Sequence, residues 1–217
     1  MLGPMSVPVS IPEEVLLLCL DDETGRPVGP PDATVDLALA GALLMQLALD
    51  GRVDSDLDRV FVARRDPLGD SLLDPVLVRI GAQSPAQDSG WWMAELGRDA
   101  APLRRALLER LVARGILRRV EGRRLLVLRD ARHPKADVAV PEAIRSRLRA
   151  VLLEGGIPEP RDSLMVGLCR ATGLIAFLLS EEEEAGAGPR IAAVAGLEEM
   201  GRALIAASRD RLAAHGR

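Results

Sequence analysis

The stretch Ala33 to Gly51, ATVDLALAGALLMQLALDG, limits what this chain can fold into more than any other. Leu37, Leu39, Leu43, Leu44, Met45, Leu47 and Leu49 leave no polar face wide enough for a surface helix. That pattern predicts a helix in the middle of a bundle. Thr34 or Asp32 offers an N-cap, and Gly51 offers a left-handed residue at the C-terminus. Asp36 and Gln46 interrupt an apolar run already too short for a bilayer, so the expectation is a core helix and not a transmembrane one.

With 217 residues, 48% of them apolar, the chain is long enough to bury one substantial core, and a single domain is expected. No charged, apolar, small-residue leader opens it, which predicts a protein that stays on the side of the membrane where it is made. Cys19 and Cys169 lie in separate apolar helical runs, the setting of two reduced core thiols in a cytoplasmic protein. Lys135 is the only lysine, and the wealth of Arg, Ala, Leu, Gly and Pro suggests a bacterial genome rich in G and C. Charge is unevenly placed. Arg104 to Lys135 carries eleven basic residues against Glu109, Glu121 and Asp130, a local +8 in a chain whose net charge is −4. A concentrated basic patch steers a protein toward a polyanion.

Residues 1–10 read as a flexible N-terminal segment and 11–217 as one helical domain. Ser10, Ile11, Pro12 and Glu13 form a capping-box pattern that opens a helix from Ile11 to Leu20. Arg26 to Asp32, RPVGPPD, excludes regular structure and leads into the central helix. Gly51 to Arg64 fits a small hairpin, and a helix capped by Ser71 or Asp74 runs to about Ala82. Gln83 to Ser89 reads as a loop. The adjacent Trp91 and Trp92 point about 100° apart on a helix, which predicts one core ring and one at the core margin. Ala101 to Gly115 carries Leu103, Leu107, Leu108 and Leu111 at helical spacing.

A β-hairpin is expected next, with Ile116, Leu117 and Val120 in one arm, a turn at Glu121, Gly122 and Arg123, and Leu125, Leu126, Val127 and Leu128 in the other. Four consecutive apolar residues cannot all face inward in a two-stranded ribbon. Either that arm is sandwiched between layers or buried in an oligomer, or it offers an apolar surface to something else. Further helices are predicted over Pro141 to Leu153, Ser163 to Leu179 and Ile191 to about Ala214, with Ser180 to Gly188 as an acidic flexible linker. The fold class that results is mainly α, a helical bundle around a central apolar helix with a β-hairpin.

Catalytic patterns are missing from the sequence. His133 and His215 lie far apart and outside any metal-ligand spacing, and tyrosine is absent. No G-x-S-x-G, Walker-type or dinucleotide-binding loop occurs, so neither enzyme activity, metal nor cofactor is expected. The pairs Asp21–Asp22 and Glu13–Glu14 flank helix termini, where capping and dipole complementarity explain them.

Several stretches occur together in one order: Glu13 to Leu18, Leu39-Ala40-Gly41 followed by Leu47 to Arg52, Gly69 to Asp74, Leu111 to Leu117, and Arg132-His133-Pro134. This ordered set resembles the Golgi phosphoprotein 3 family, which has bacterial members. The resemblance implies a peripheral membrane protein on the cytoplasmic face that binds phosphatidylinositol 4-phosphate and inserts an apolar hairpin tip. In eukaryotes it further implies gathering of glycosyltransferase tails. Arg104, Arg105, Arg118, Arg119, Arg123 and Arg124 are the candidate headgroup ligands, and Leu125 to Leu128 the membrane-insertion or oligomer hairpin.

At the family's four pocket positions, a tryptophan and three arginines in eukaryotic members, this chain carries Pro31, Ala40, Ala101 and Arg104. Those replacements shift the expectation from a phosphoinositide to an anionic membrane surface in general, such as cardiolipin or phosphatidylglycerol. Two other readings stand beside it. A helix ending LVARGIL before a basic hairpin also resembles part of a winged-helix DNA-binding domain, although Ala101 to Arg114 has no Asn or Gln to read bases. Alternatively the hairpin assembles copies of the chain into a homo-oligomeric adaptor whose cargo the sequence does not name.

Overall fold

The computed structural model describes residues 8–28, 31–56, 59–98, 100–122 and 130–197. They are mainly helical: α1 (Ile11–Leu18), α2 (Asp32–Leu49), α3 (Leu73–Ala82), α4 (Ser89–Gly97), α5 (Ala101–Ala113), α6 (Ala139–Leu153) and α7 (Pro160–Thr172). A 3-10 turn, Leu174–Phe177, follows α7, and a further helix, α8, spans 181–197. The strands form two antiparallel pairs, β1 (Val53–Ser55) with β2 (Val60–Val62) and β3 (Val120–Gly122) with β4 (Asp130–Arg132).

The central helix packs against α1, α4 and α7 and divides the interior into two apolar clusters. Val35, Ala38, Leu39 and Ala42 enter the larger cluster with Leu17, Leu107, Leu148 and Leu168. Ala40, Leu43, Leu44 and Leu47 enter the smaller one with Val53, Val60, Leu77 and Trp92. A helix that feeds two cores needs apolar residues on two sides, which is why α2 has no broad polar face. By length and hydropathy alone it would also pass for a membrane span, but half of it is buried inside the fold. Its end agrees with expectation, since Gly51 takes φ +63°. Its start does not: Pro31 occupies the cap position with no side-chain cap, and Asp32 falls in the first turn.

Local signals explain most boundaries. The capping box at α1 forms, with Ser10 donating to Glu13 from N–H at 2.6 Å and from the hydroxyl at 2.8 Å. At α3 neither Ser71 nor Asp74 is the cap. Asp70 accepts from the N–H groups of Leu72 and Leu73, and Asp74 reaches back to accept from Leu68 and Gly69. Ser89 opens α4 and does not end a loop, because Asp88 accepts from the Trp91 N–H at 2.8 Å. Trp92 is 2% exposed and Trp91 38%, one core ring and one at its margin. Helix α7 starts earlier than expected, at a reciprocal cap between Glu159 and Asp162, and stops at Thr172.

Two further expectations fail for identifiable reasons. Ser180 to Gly188 is the start of α8 and not a linker. Ser180 donates its N–H to Glu183, and Glu183 returns its N–H to the Ser180 hydroxyl, a second S-x-x-E capping box hidden inside the acidic run. Arg149 of α6 then grips the Glu183 carboxylate and the Leu178 carbonyl. In the β3–β4 hairpin, Val120 pairs with Arg132, Glu121 with Ala131 and Gly122 with Asp130. Glu121 and Gly122 are therefore strand residues and not the turn. The register is continued outward by a bridge between Leu117 and Lys135. Leu125 to Leu128, with Arg123 and Arg124, lie outside the described residues.

Glu13 and Glu14, expected to serve the helix terminus, do more. They are 2% and 1% exposed and meet arginines from three helices. Arg114 pairs with Glu13 at 2.9 Å, Arg147 with Glu14 at 2.9 Å and with Asp162 at 2.8 Å, and Arg161 with Glu14 at 3.0 Å. Removing one partner strands a buried carboxylate. The substitution Arg147→Met is expected to lower unfolding free energy by about 3 kcal/mol in denaturant titration.

The hydrogen bond from Arg149 holds the Glu183 carboxyl down at about 2, from 4.5. A carboxylate with a lowered folded-state pKa contributes stability in full above its unfolded value and loses it as pH falls through the folded one. Glu183→Gln is expected to melt earlier than the native chain at pH 7. In calorimetry the gap between the two should close as pH falls from 4.5 toward 2.

Candidate functional site

The segment after α1 turns back on the helix it leaves. Val28 donates its N–H to the Cys19 carbonyl at 2.8 Å, and Asp21 to the Arg26 carbonyl at 2.9 Å. The same segment is clamped to the outgoing arm of the β3–β4 hairpin. His133 donates its N–H to the Gly25 carbonyl at 3.3 Å, and the Lys135 ammonium and Arg145 guanidinium share the Asp22 carboxylate. Gly25 has φ +62°, and a Cβ there would lie 2.0 Å from the His133 carbonyl carbon. Only glycine permits that approach.

Between this turned-back segment, the start of α2 and the face of α5 opens a cleft of about 760 Å³. Leu16, Cys19, Leu20 and Val35 form its buried floor, and Leu108 and Val112 its wall. Burial pushes the Cys19 thiol up to about 12, so it is a neutral, unreactive part of that floor. The first turns of α2 and α5 begin at the rim, at Pro31, Asp32 and Ala101. The rim also carries Arg104, Arg105, Arg119, Glu109 and His133. Burial lowers the pKa of His133, helped by the charge of Arg119, so its imidazole is neutral at pH 7.

Arg104 is held by two carboxylates of α2, Asp32 at 3.1 Å and Asp36 at 3.0 Å. Burial raises the Asp36 carboxyl above its usual range, with Arg104 opposing and Asp32 adding to the rise. Arg105, Arg118 and Arg119 are exposed and have no ion-pair partner among the described residues. Arg105 and Arg119 share the cleft with Arg104, whereas Arg118 does not line it. Arg123, Arg124 and Leu125 to Leu128 lie outside the described residues.

The eleven-residue basic patch does not survive as one surface. Arg110 forks onto Asp70 at 2.7 and 3.0 Å, Arg114 is held by Glu13, and the Lys135 side chain is fully buried against Asp22. Their partners lie 40 to 113 residues away in sequence, so spacing could not reveal them. Sequence reasoning also missed the apolar rim. Pro27 and Val28 of the RPVGPPD connection belong to that rim, and the tight Thr24-Gly25-Arg26 turn is the sequence signal that the chain doubles back there. Of the four positions singled out by the resemblance, Pro31, Ala101 and Arg104 border the cleft, and Ala40 is wholly buried in the smaller cluster.

Comparison with known proteins agrees with the fold. The family model for Golgi phosphoprotein 3 (GPP34) matches residues 11–213. Vacuolar protein sorting-associated protein 74 of Eremothecium gossypii is 28% identical over 166 residues, covering 67% of this chain and 49% of that protein. The Schizosaccharomyces pombe protein of the same name is 29% identical over 168 residues, covering 66% of this chain and 48% of its own. The chain thus spans about half the length of these relatives. A match that runs from the first turn of α1 beyond residue 197 of α8, through every helix that frames the cleft, means that this chain belongs to the Golgi phosphoprotein 3 family.

Proposed function

We propose that the chain is a peripheral membrane protein that engages anionic phospholipid from a cytoplasmic membrane face, through the rim of this cleft and the adjoining hairpin. The observation that carries the reading is a pair of exposed cations, Arg105 and Arg119, with no ion-pair partner among the described residues, on the edge of an apolar cleft next to the start of the β3–β4 hairpin. Arginine forks suit phosphate oxygens, and a basic rim next to an apolar element supplies the two signals that a stable anchor needs. Leu125 to Leu128 are the proposed inserting residues, flanked by Arg123 and Arg124 as further headgroup contacts. Family membership supports the same reading, with phosphatidylinositol 4-phosphate as the headgroup that the resemblance implies.

The cleft favours a less demanding headgroup. Pro31 and Ala101 offer no cation or side-chain donor, Ala40 is sealed in the core, and Arg104 is already shared between Asp32 and Asp36. Three lining arginines against Asp32 and Glu109, with His133 neutral, leave a single net positive charge, which matches a phosphodiester better than a doubly charged phosphomonoester. DNA binding finds less support, because Arg110 and Arg114 of α5 are turned into internal ion pairs.

The test is co-sedimentation with neutral vesicles, with vesicles carrying phosphatidylglycerol, and with vesicles carrying phosphatidylinositol 4-phosphate. Capture by both anionic kinds and not by the neutral one is expected, weakening as salt rises. Arg105→Gln combined with Arg119→Gln should weaken capture roughly 30-fold, at about 1 kcal/mol per cation near the surface. Leu126→Asp should remove it. No capture by either anionic vesicle would overturn the reading.

A further inference from the structure

We propose that the cleft itself is an aliphatic-chain pocket, which takes the hydrocarbon tail of a single-chain amphiphile while Arg105 and Arg119 hold its one negative charge. This rests on the cleft being the lipid-facing site and goes beyond it by naming what fills the interior. A sugar-phosphate headgroup needs partners for its hydroxyls, and an interior that offers none penalises it by leaving them unsatisfied. The floor and wall are Leu16, Cys19, Leu20, Val35, Leu108 and Val112, and none of these side chains carries a hydroxyl, amide or carboxylate. Apolar residues continue onto the rim at Pro27, Val28 and Pro31, where Val28 is 38% exposed to solvent. A cleft of about 760 Å³ falls in the range of small-molecule pockets, which are mostly apolar with a few placed polar groups.

The charged groups Arg105, Glu109 and Arg119 are exposed, whereas the apolar floor is buried. Arg105 and Arg119 are exposed with no ion-pair partner among the described residues, and Glu109 stands beside them as a repulsive neighbour for a second negative charge. An apolar interior under a rim of net charge +1 is complementary to a chain with a monoanionic head. Two sources share that chemistry, a long-chain carboxylate and a lysophospholipid with a phosphodiester head.

Isothermal titration of the full chain, without any bilayer and below the micelle threshold of each ligand, tests this. One arm uses octanoate, decanoate and dodecanoate, a second uses lysophosphatidylglycerols of increasing chain length, and dimethyl phosphate serves as the tail-free anion. Affinity is expected to rise about threefold to fourfold per added methylene until the cleft is full, with dimethyl phosphate bound far more weakly. The arm with the tighter binding at equal chain length identifies the source. Leu108→Trp, which fills the cleft from its partly exposed wall, should abolish the chain-length dependence. Arg105→Gln with Arg119→Gln should weaken every member of a series alike and keep its slope.

Absence of binding, or affinity independent of chain length in the native protein, would overturn the proposal, and neither result depends on a variant folding. Because no membrane is present, vesicle capture without a chain-length slope removes this inference and leaves the membrane reading. A slope without vesicle capture does the reverse.

Discussion

The fold depends on two carboxylates buried in the first turn of α1. Glu13 and Glu14 sit in the first turn of α1, almost free of solvent, and arginines from α5, α6 and α7 converge on them. Burying a carboxylate is costly unless it is paired and hydrogen-bonded. Here that requirement ties three elements together at once, because Arg114, Arg147 and Arg161 meet at one end of α1 to pair both acids. The apolar residues behind them, Val15, Leu17 and Leu18, then meet Leu107, Leu148 and Leu168 in the larger core.

The same demand for charge pairing shapes the surface. A sequence window with eleven basic residues would suggest a broad electropositive face, but the fold draws Arg110, Arg114 and Lys135 inward to Asp70, Glu13 and Asp22. Arg104 is half withdrawn, onto Asp32 and Asp36. What remains at the cleft is a small, directed charge on an apolar opening. Because Asp22 also anchors the turned-back segment to the hairpin, the cleft rim and the hairpin base are one clamped unit, and Gly25 lies so near His133 that a side chain there would clash.

Much of the architecture was legible because its causes are local. Ser10 and Glu13 lie three residues apart and cap α1 within one turn. Gly51 ends α2 because the chain needs a positive φ there, and Trp91 and Trp92 divide between surface and core because helical geometry separates neighbours. The ordered motifs from Glu13 to Pro134 carried the family, which the match over residues 11–213 bears out. The acidic run after Ser180 was misread because its charge density hid a capping box whose worth depends on Arg149, more than thirty residues earlier. The hairpin turn was misplaced because its register is set by pairs outside it, Leu117 with Lys135 among them.

The sequence by itself determined the helical class, the burial of α2, most helix ends and the family, since periodicity, capping and turn chemistry act over a few residues. Only the tertiary structure decided which arginines are available and where an apolar cleft opens. Ion pairs and cavities are made between segments 40 to more than 100 residues apart, and their energies depend on burial that no single stretch of chain creates.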